Sequence, residues 1–372
     1  MLQINQNIFR ISAIAEEWAE RLYLFLTEER ETCHETYKDK MFVKIKQNKL
    51  LSVEEKRIAM DYITRYCDNV EFFAKANEAE MEDIQFMCDI LRINHPDVHE
   101  ELKKIFIQLY KDFVAITNKP KDLAIPISYY FIDRLGLRTC PYCNRAYTFN
   151  IYNAEGKRVR PEYDHFYDKA TYPFLALSFY NLVPSCPICN HIKGINKLHV
   201  NPFFHNFKGV FRVFETEEQA KLKKHEKPEP LTAIQLFRHA GKGNICLDTI
   251  STNEREDMRT LGLDEFYKKH EDYVEEIVEK AQAYSGPMLV ALSSTFQGAG
   301  YSPQQVFEFV WGKDIALAQN NNRPLSKLTH DILEQVGIVE PSLSDCGNAD
   351  HTMWKEELSC KSAMTMTKLI IA

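Results

Sequence analysis

Hydrophobic residues recur with a helical period along most of the first third of the chain. Trp18, Leu22 and Phe25 are three or four positions apart and fall on one face of such a helix. Spacing of this kind is typical of an amphipathic helix that packs its apolar side on a core. Ser52 followed by Glu55 has the pattern of a capping box, in which two side chains satisfy the free amides at a helix start. The N-terminal part is therefore predicted to be a set of packed helices.

The same periodicity predicts how much of the chain is helical. We expect an N-terminal helical domain over residues 1–120 and a C-terminal helical domain over residues 211–340, with one helix from Pro303 to Trp311. Residues 341–372 mix Ser, Thr, Met and Cys without an assignable pattern and are expected to form a tail. The predicted fold class is therefore α+β and mostly helical, with a small β-containing centre flanked by helical regions.

Residues 121–210 differ from both flanks. Aromatic residues and prolines are dense there, and short runs with strand propensity, such as Ala146 to Tyr152, stand beside turn signals such as Glu155-Gly156. Two closely spaced cysteine pairs also fall in this segment. It is therefore predicted to be a separate domain that carries the chemistry of the protein.

Composition limits the class of protein. The chain has 372 residues, of which 45% are apolar and 27% charged, with a formal net charge of −7. These values are ordinary for a globular protein and exclude a uniformly basic surface that coats nucleic acid. The longest strongly apolar stretch, Leu123 to Ile132, is too short for a membrane span, and the N-terminus lacks the pattern of a secretory signal. We therefore expect a cytoplasmic protein without a membrane segment.

Four of the ten cysteines form two C-x-x-C pairs, Cys140-Pro-Tyr-Cys143 and Cys186-Pro-Ile-Cys189. Each such turn presents two thiolates to one ion, and a tetrahedral structural zinc needs four ligands. Thioredoxin-like redox chemistry is the alternative, but it uses one such pair beside a βαβ pattern, and two units with similar interiors fit it badly. The spacing therefore predicts one structural zinc bound by all four cysteines.

Residues between and just after these pairs suit a second metal. Asp164 and Asn190 offer oxygen ligands of the kind that Mg²⁺ prefers, and such an ion keeps waters that a phosphate can replace. His165 can deprotonate an attacking water near neutral pH. A base and a metal on the scissile phosphate are groups that phosphodiester hydrolysis requires. Because neighbours on a regular strand point to opposite faces, Asp164 and His165 reach one ion only if the strand ends or bulges there.

These residues resemble the pattern of the HNH endonucleases. The ββα-metal motif of that family reads Asp-His, then Asn-Leu, then Cys-x-x-Cys-Asn-x-x-Lys, with an added zinc site in many members. The matching residues here are Asp164-His165, Asn181-Leu182 and Cys186-x-x-Cys189-Asn190-x-x-Lys193. The match covers about residues 138–202, which is under a fifth of the chain.

The resemblance implies a role for each matched residue. It makes His165 the general base. It makes Asp164 and Asn190 the ligands of a catalytic Mg²⁺ or Mn²⁺, and it makes Asn181 the brace of the loop that carries the base. Lys193 either binds phosphate or packs at the end of its helix. His191 follows Asn190 directly, and because the family often has His at its last position, either residue can be the ligand. The spacing to Lys193 favours Asn190.

Basic side chains near the motif are candidates for phosphate contacts. Residues 140–210 contain eight Lys and Arg against four Asp and Glu, a balance of +4, whereas the whole chain carries −7. Phosphate groups are bound mainly by such cations. The nucleic-acid contacts are therefore assigned to Arg145, Arg160, Lys169 and Lys197.

The resemblance implies a metal-dependent endonuclease that hydrolyses DNA. Large helical flanks around a small nuclease centre also resemble the layout of nucleases in bacterial anti-phage defence, including those of Septu-like and retron-associated systems that act beside an ATPase subunit. Residues 1–120 contain 17 Lys and Arg against 22 Asp and Glu, so we expect the flanks to contact protein, as an ATPase partner or a second copy, more than DNA. Two alternatives are a noncatalytic zinc-stabilised module that binds nucleic acid or protein, and a toxin-like RNA nuclease.

Overall fold

A computed structural model of the chain describes residues 4, 8–29, 35–116, 126–152, 158–215, 230–249, 251–284, 286–312 and 322–338. The fold is α+β and mostly helical, as predicted. The chain divides into two units, Met1–Phe207 and Lys208–Ala372, close to the boundary predicted between residues 210 and 211. The predicted tail, residues 341–372, lies outside the described residues.

Helices make up most of the N-terminal unit. Those that precede its first strand are α1 (Ile8–Thr27), α2 (Tyr37–Gln47), α3 (Val53–Asp68), α4 (Val70–Ala74), α5 (Glu78–Asn94), α6 (Pro96–Ala115) and α7 (Ile127–Leu135). The capping box expected at the start of α3 is present, since Ser52 accepts from the amide of Glu55 and Glu55 accepts from that of Ser52. Local sequence signals therefore set this helix start.

Trp18 of α1 lies in the core of the N-terminal unit. Its indole nitrogen donates to the carbonyl of Leu177 over 2.8 Å, which ties α1 to the segment between the cysteine pairs. Its ring centroid lies 5.0 Å from that of Phe113 in α6 and 4.9 Å from that of Phe131 in α7. Helices on both sides of the boundary predicted at residue 120 thus share one core with the cysteine-containing segment.

Among the described residues after α7, a tight hairpin that carries the first cysteine pair and is closed by the bridge between Thr139 and Tyr147 is followed by two short strand pairs and a helix. The first strand pair joins β1 (Ile151–Tyr152) with β2 (Arg158–Val159), and the second joins β3 (Glu162–His165) with β4 (Leu182–Ser185), both antiparallel. Helix α8 (Pro187–Lys193) follows β4 and packs on β3. Cys186 caps α8 by accepting from the amide of Cys189, and Pro187 occupies the first turn, where a missing amide hydrogen costs nothing. The order strand, strand, helix is the one that the ββα motif requires.

The C-terminal unit contains a strand pair that the helical periodicity did not predict. Strands β5 (Val210–Phe214) and β6 (Asn244–Asp248) are antiparallel. The helices of this unit are α9 (Ala233–Arg238), α10 (Thr252–Leu261), α11 (Leu263–Tyr267), α12 (Glu271–Ala283), α13 (Gly286–Gly298), α14 (Pro303–Trp311) and α15 (Ser326–Gln335). Helix α14 has the bounds expected from the sequence. Asp331 of α15 accepts from the backbone amide of Phe211 over 2.8 Å, so this helix satisfies a free strand edge.

Candidate functional site

The four cysteines of the two pairs converge in the N-terminal unit. All four side chains are buried, and their sulfur atoms all lie within 4.8 Å of one another. Four thiols at this spacing can hold a structural metal such as zinc. The convergence of the two C-x-x-C pairs, expected from their spacing, is confirmed.

Backbone amides point at the sulfur atoms of this cluster. The amide of Arg145 lies 3.4 Å from the sulfur of Cys143, and that of Cys186 lies 3.4 Å from the sulfur of Cys140. The amide of Cys189 lies 3.5 Å from the sulfur of Cys186. Hydrogen bonds from the neighbouring thiols lower the pKa of Cys143 below its ordinary value. Such donors stabilise the thiolate, which is the form that binds a metal.

Asp164 is buried beside the cysteine cluster, with 2% of its surface exposed. The hydroxyl of Tyr142, which stands inside the first C-x-x-C pair, donates to its Oδ2 over 2.6 Å. The ammonium of Lys193 at the end of α8 lies 3.1 Å from its Oδ1 and donates to the carbonyl of His165 over 2.8 Å. Burial raises the pKa of Asp164, while Lys193 and Tyr142 act in the opposite direction. Tyr142 was not assigned a role from the sequence, although a buried phenol requires a hydrogen-bond partner.

His165 is the last residue of β3. Its Nε2 lies 3.0 Å from the carbonyl oxygen of Ala176. Because a carbonyl oxygen only accepts, Nε2 carries the proton and Nδ1 carries the lone pair. The ammonium of Lys169 lies 3.3 Å from Nδ1, and the ring of Tyr110 packs edge-on at 4.7 Å between centroids. Burial, followed by the charge of Lys169, lowers the pKa of His165 to about 3, so the imidazole is neutral at pH 7.

Asn181 braces the loop that follows His165. Its Oδ1 accepts from the amide of Tyr167 over 2.7 Å. Its Nδ2 donates to the carbonyls of Tyr167 and Leu175 over 3.0 and 2.9 Å. Asn181 is fully buried, so these three bonds satisfy an amide that has no access to water. The loop between β3 and β4 is thereby fixed to the start of β4.

Asn190 meets the same strand two residues before Asp164. Its Nδ2 donates to a carboxylate oxygen of Glu162 over 2.6 Å. Since residues two apart on a strand share a face, Glu162 lies on the same face as Asp164. Glu162 was missed from the sequence, although this alternation is a signal for it. His191, the other candidate ligand, has an exposed side chain on α8.

The four candidate phosphate contacts are distributed around this centre. Lys169 contacts His165 as described. The guanidinium of Arg160 lies 5.3 Å from the ring centroid of Tyr163, and the ammonium of Lys197 lies 5.8 Å from that of Tyr167. The backbone of Arg145 contacts the cysteine cluster. The structure therefore brings Lys169 to the predicted base and places the other three around the cluster and the loop.

No family model matches the chain, and no curated protein or solved structure matches it either. Among the helices of the described residues, none is both long and apolar enough to cross a membrane. The class that the fold and site define is a mostly helical α+β protein with a four-cysteine cluster able to hold a structural metal.

Proposed function

We propose that the chain is a metal-dependent HNH endonuclease that hydrolyses phosphodiester bonds of DNA. One observation carries the proposal: β3, β4 and α8 follow one another as strand, strand and helix, with Asp164 and His165 at the end of the first strand. Asn181 at the start of the second strand braces the loop after His165, as the resemblance implies. In this proposal the four-cysteine cluster holds a structural zinc that keeps the two halves of the motif together.

The oxygen donors around Asp164 fit a hard divalent cation. Two carboxylates, those of Glu162 and Asp164, share a face of β3, and the Asn190 amide reaches that face from α8. Such donors suit Mg²⁺ or Mn²⁺. The Lys193 ammonium, 3.1 Å from Oδ1, already neutralises the Asp164 carboxylate, so a cation bound there would share that carboxylate with Lys193. When bound there by Asp164 and Asn190, the metal would supply Lewis-acid stabilisation of the phosphate and the leaving oxygen.

In this proposal His165 accepts the proton of the attacking water. His165 is held by its Nε2 on the Ala176 carbonyl, which leaves Nδ1 as the nitrogen that accepts a proton from the attacking water. The imidazole is neutral at pH 7, which is the form that a general base needs. Lys169 beside Nδ1 offers a cation to a phosphate that approaches the base. Arg145, Arg160 and Lys197 add further positive charge around the cysteine cluster and the loop after His165.

The helical surroundings support a place in a larger system. The excess of acidic residues over residues 1–120 favours protein contact, and a nuclease that cuts without control damages its own cell. In this proposal the chain is the nuclease of a bacterial anti-phage defence system and acts beside an ATPase subunit or as a homodimer. Copurification of an ATPase with a tagged chain from the cells that produce it tests the first form, and light scattering of the purified chain tests the second.

A noncatalytic zinc-stabilised module is the second candidate function. It is favoured by the burial of Asp164 and Lys193, which satisfy each other within the fold and are 2% and 0% exposed. Groups in such a pair can brace a fold without taking part in chemistry. Such a module would bind nucleic acid or protein through its surface and would cut neither DNA nor RNA.

Cleavage by matched variants separates these functions. Plasmid DNA and a structured RNA are incubated with Mg²⁺, Mn²⁺ or neither, using the wild type, His165→Ala and the control His239→Ala, which removes an exposed histidine of the C-terminal unit. Elemental analysis confirms that each protein carries about one zinc, as one four-thiolate site predicts. Metal-dependent cutting of DNA lost only in His165→Ala supports the proposal. Cutting of RNA alone supports a ribonuclease, and cutting that persists in His165→Ala excludes His165 as the base.

A further inference from the structure

A strip of exposed apolar side chains follows the first cysteine pair. Tyr147, Phe149 and Ile151 alternate along the backbone with less exposed residues and are 56%, 44% and 58% exposed. Val159 on β2 lies directly opposite Ile151 and is 62% exposed. These four residues are called the apolar strip. Single exposed apolar residues are common on protein surfaces, but four in register along one ribbon indicate a binding surface.

The apolar strip stands on a firmly attached backbone. The amide of Thr148 donates to the carbonyl of Arg138 over 2.8 Å, and the Thr148 side chain is buried. The side chain of Asn150 donates to the carbonyl of Tyr129 over 2.7 Å and to the carboxylate of Asp133 over 2.8 Å. The residues between the exposed ones therefore fix the ribbon to α7 and to the hairpin that carries the first cysteine pair.

Tyr147 and Phe149 form a pair of flat surfaces. Their ring centroids lie 5.0 Å apart with an interplanar angle of 47°. Because the backbone beneath them is already fixed, binding on these rings costs little conformational entropy. Exposed aromatic faces of this kind stack on nucleobases, and the stacking is tolerant of base identity.

Charge around the strip complements a polyanion. The described residues of this segment, 138–152 and 158–160, contain four Arg and no acidic residue, whereas the whole chain carries −7. Arg138 is exposed, and Arg145 and Arg160 are partly exposed. Nucleic acid offers bases to the rings and phosphates to the positive charge of this segment, whereas a purely apolar partner would complement the rings alone.

The strip lies on the same hairpin as Tyr142 of the candidate centre. The hydroxyl of Tyr142 contacts Asp164, and Tyr142 belongs to the same hairpin as Tyr147. In this hairpin the backbone amide of Cys140 donates to the carbonyl of Ala146 over 2.9 Å. In duplex DNA the bases are stacked on each other and their faces are not accessible, so only unpaired bases can use these surfaces.

We propose that the apolar strip binds unpaired bases of a nucleic-acid strand by stacking on Tyr147 and Phe149. The protein then prefers a single-stranded or locally opened strand to a closed duplex. The inference rests on the proposed function for the fate of the bound strand, but stacking itself requires neither a divalent cation nor cleavage. Binding and cutting can therefore be tested separately.

Binding is measured with the zinc-loaded protein and no added divalent cation. The probes are a fluorescein-labelled 20-nucleotide single-stranded DNA of mixed sequence, the RNA of the same sequence and the duplex DNA, and the readout is fluorescence anisotropy. The test variant is Tyr147→Ala/Phe149→Ala. The ring-retaining variant is Tyr147→Phe/Phe149→Tyr. The control variant Tyr23→Ala/Phe86→Ala removes one exposed Tyr and one exposed Phe elsewhere in the N-terminal unit.

The expected result is a weakening of single-strand binding by at least about tenfold in the double alanine variant, with wild-type affinity in the other two. Ultraviolet cross-linking of the wild type to the single strand is expected to modify the tryptic peptide from Ala146 to Lys157. Equal affinity of the wild type and the double alanine variant, tighter binding of the duplex, or no binding of a single strand would overturn the inference. If the ring-retaining variant loses single-strand binding as well, the loss reflects a folding defect. The cross-link to the wild type then tests the inference, and a cross-link outside the peptide from Ala146 to Lys157 would overturn it.

These outcomes are distinct from failure of the proposed function. If single-strand binding depends on the rings but the protein cuts no nucleic acid, the inference about the apolar strip is supported and the proposed nuclease function is contradicted. If the double alanine variant and the wild type cut equally with metal and bind the single strand equally, the inference about the apolar strip is contradicted and the proposed nuclease function is supported. Preference between DNA and RNA in the same assay identifies which strand the surface takes.

Discussion

The hydroxyl of Tyr142 donates to Oδ2 of Asp164 over 2.6 Å. Tyr142 lies between the two cysteines of the first pair, and Lys193, which contacts the other oxygen of Asp164, lies at the end of the helix that carries the second pair. The Asp164 carboxylate is therefore positioned by one side chain inside the first pair and by one at the end of the helix that begins at the second pair. The geometry of the candidate centre depends on the four-cysteine cluster through these two contacts.

Replacement of Tyr142 by Phe tests the first contact. The change leaves one oxygen of a buried carboxylate without its donor, so we expect the free energy of unfolding to fall by about 1–3 kcal/mol. Urea unfolding followed by circular dichroism measures it. The control Tyr301→Phe alters an exposed residue, and a change of less than about 0.5 kcal/mol is expected there. Equal effects of the two variants would show that the Tyr142 hydroxyl contributes nothing.

Replacement of Lys193 by Met tests the second contact. Both partners are buried, so removal of the ammonium leaves the Asp164 carboxylate unpaired, and we expect a loss of about 3–5 kcal/mol. In Asp164→Asn/Lys193→Met no charge is left unpaired, so the double variant is expected to be more stable than Lys193→Met. Urea unfolding of the two single variants and the double variant gives the coupling energy. Additive losses would show that the two groups do not interact.

Asn181 is expected to tolerate neither a smaller nor an isosteric side chain. Asn181→Ala removes three hydrogen bonds in a buried site, which predicts a loss of about 2–4 kcal/mol. Asn181→Asp keeps the acceptor for Tyr167 but places a carboxylate oxygen against two carbonyls, so it is expected to be at least as destabilising. The exposed Asn196, changed to Ala, is the control. A stable Asn181→Asp variant would contradict the described orientation of the amide.

The buried thiols of the helical region predict an alkaline limit to stability. Burial raises the pKa of Cys67 and of Cys88 to about 12, from an ordinary value of 9.0. Because the folded pKa lies above the unfolded one, this stabilisation is complete below pH 9 and is lost as pH rises from 9 towards 12. In urea unfolding, the free energy of unfolding of the wild type is expected to be lower at pH 10 than at pH 8. The same decrease is expected to be smaller in Cys67→Ala/Cys88→Ala.

The same thiols provide an independent check. At pH 8 Cys67 and Cys88 remain protonated in the folded chain, so a thiol reagent is expected to modify them only after unfolding. Mass spectrometry of the modified peptides measures this directly. Rapid modification of either residue in the folded protein would contradict its burial.

Local patterns predicted the local parts of the fold. The capping box at Ser52 and the bounds of α14 follow from residues a few positions apart, and the convergence of the two C-x-x-C pairs follows from the ligand number of one metal. The shared core around Trp18 and the strand pair β5–β6 were not predicted, because they depend on contacts between residues distant in sequence.

The candidate site divides in the same way. Residue chemistry and the resemblance to the HNH motif selected Asp164, His165, Asn181 and Lys193, and the structure places Lys193 on Asp164. Neither the chemistry nor the motif indicated that Lys193 is buried or that Tyr142 faces Asp164, since spacing carries no information about which side chains meet across two elements. Glu162 lies two residues before Asp164, but its proximity to Asn190 depends on how α8 packs on β3.

Because Tyr142 lies in the first cysteine pair and Lys193 in the helix after the second, the centre is assembled in a fixed order during synthesis. A nascent chain that ends before Cys186 has made Asp164, His165 and Tyr142, yet it lacks two of the four thiols and the ammonium that faces Asp164. The centre is therefore completed only after α8 leaves the ribosome. Premature termination upstream of α8 therefore yields a fragment in which the Asp164 carboxylate lacks Lys193 and the cysteine cluster lacks two of its four thiols.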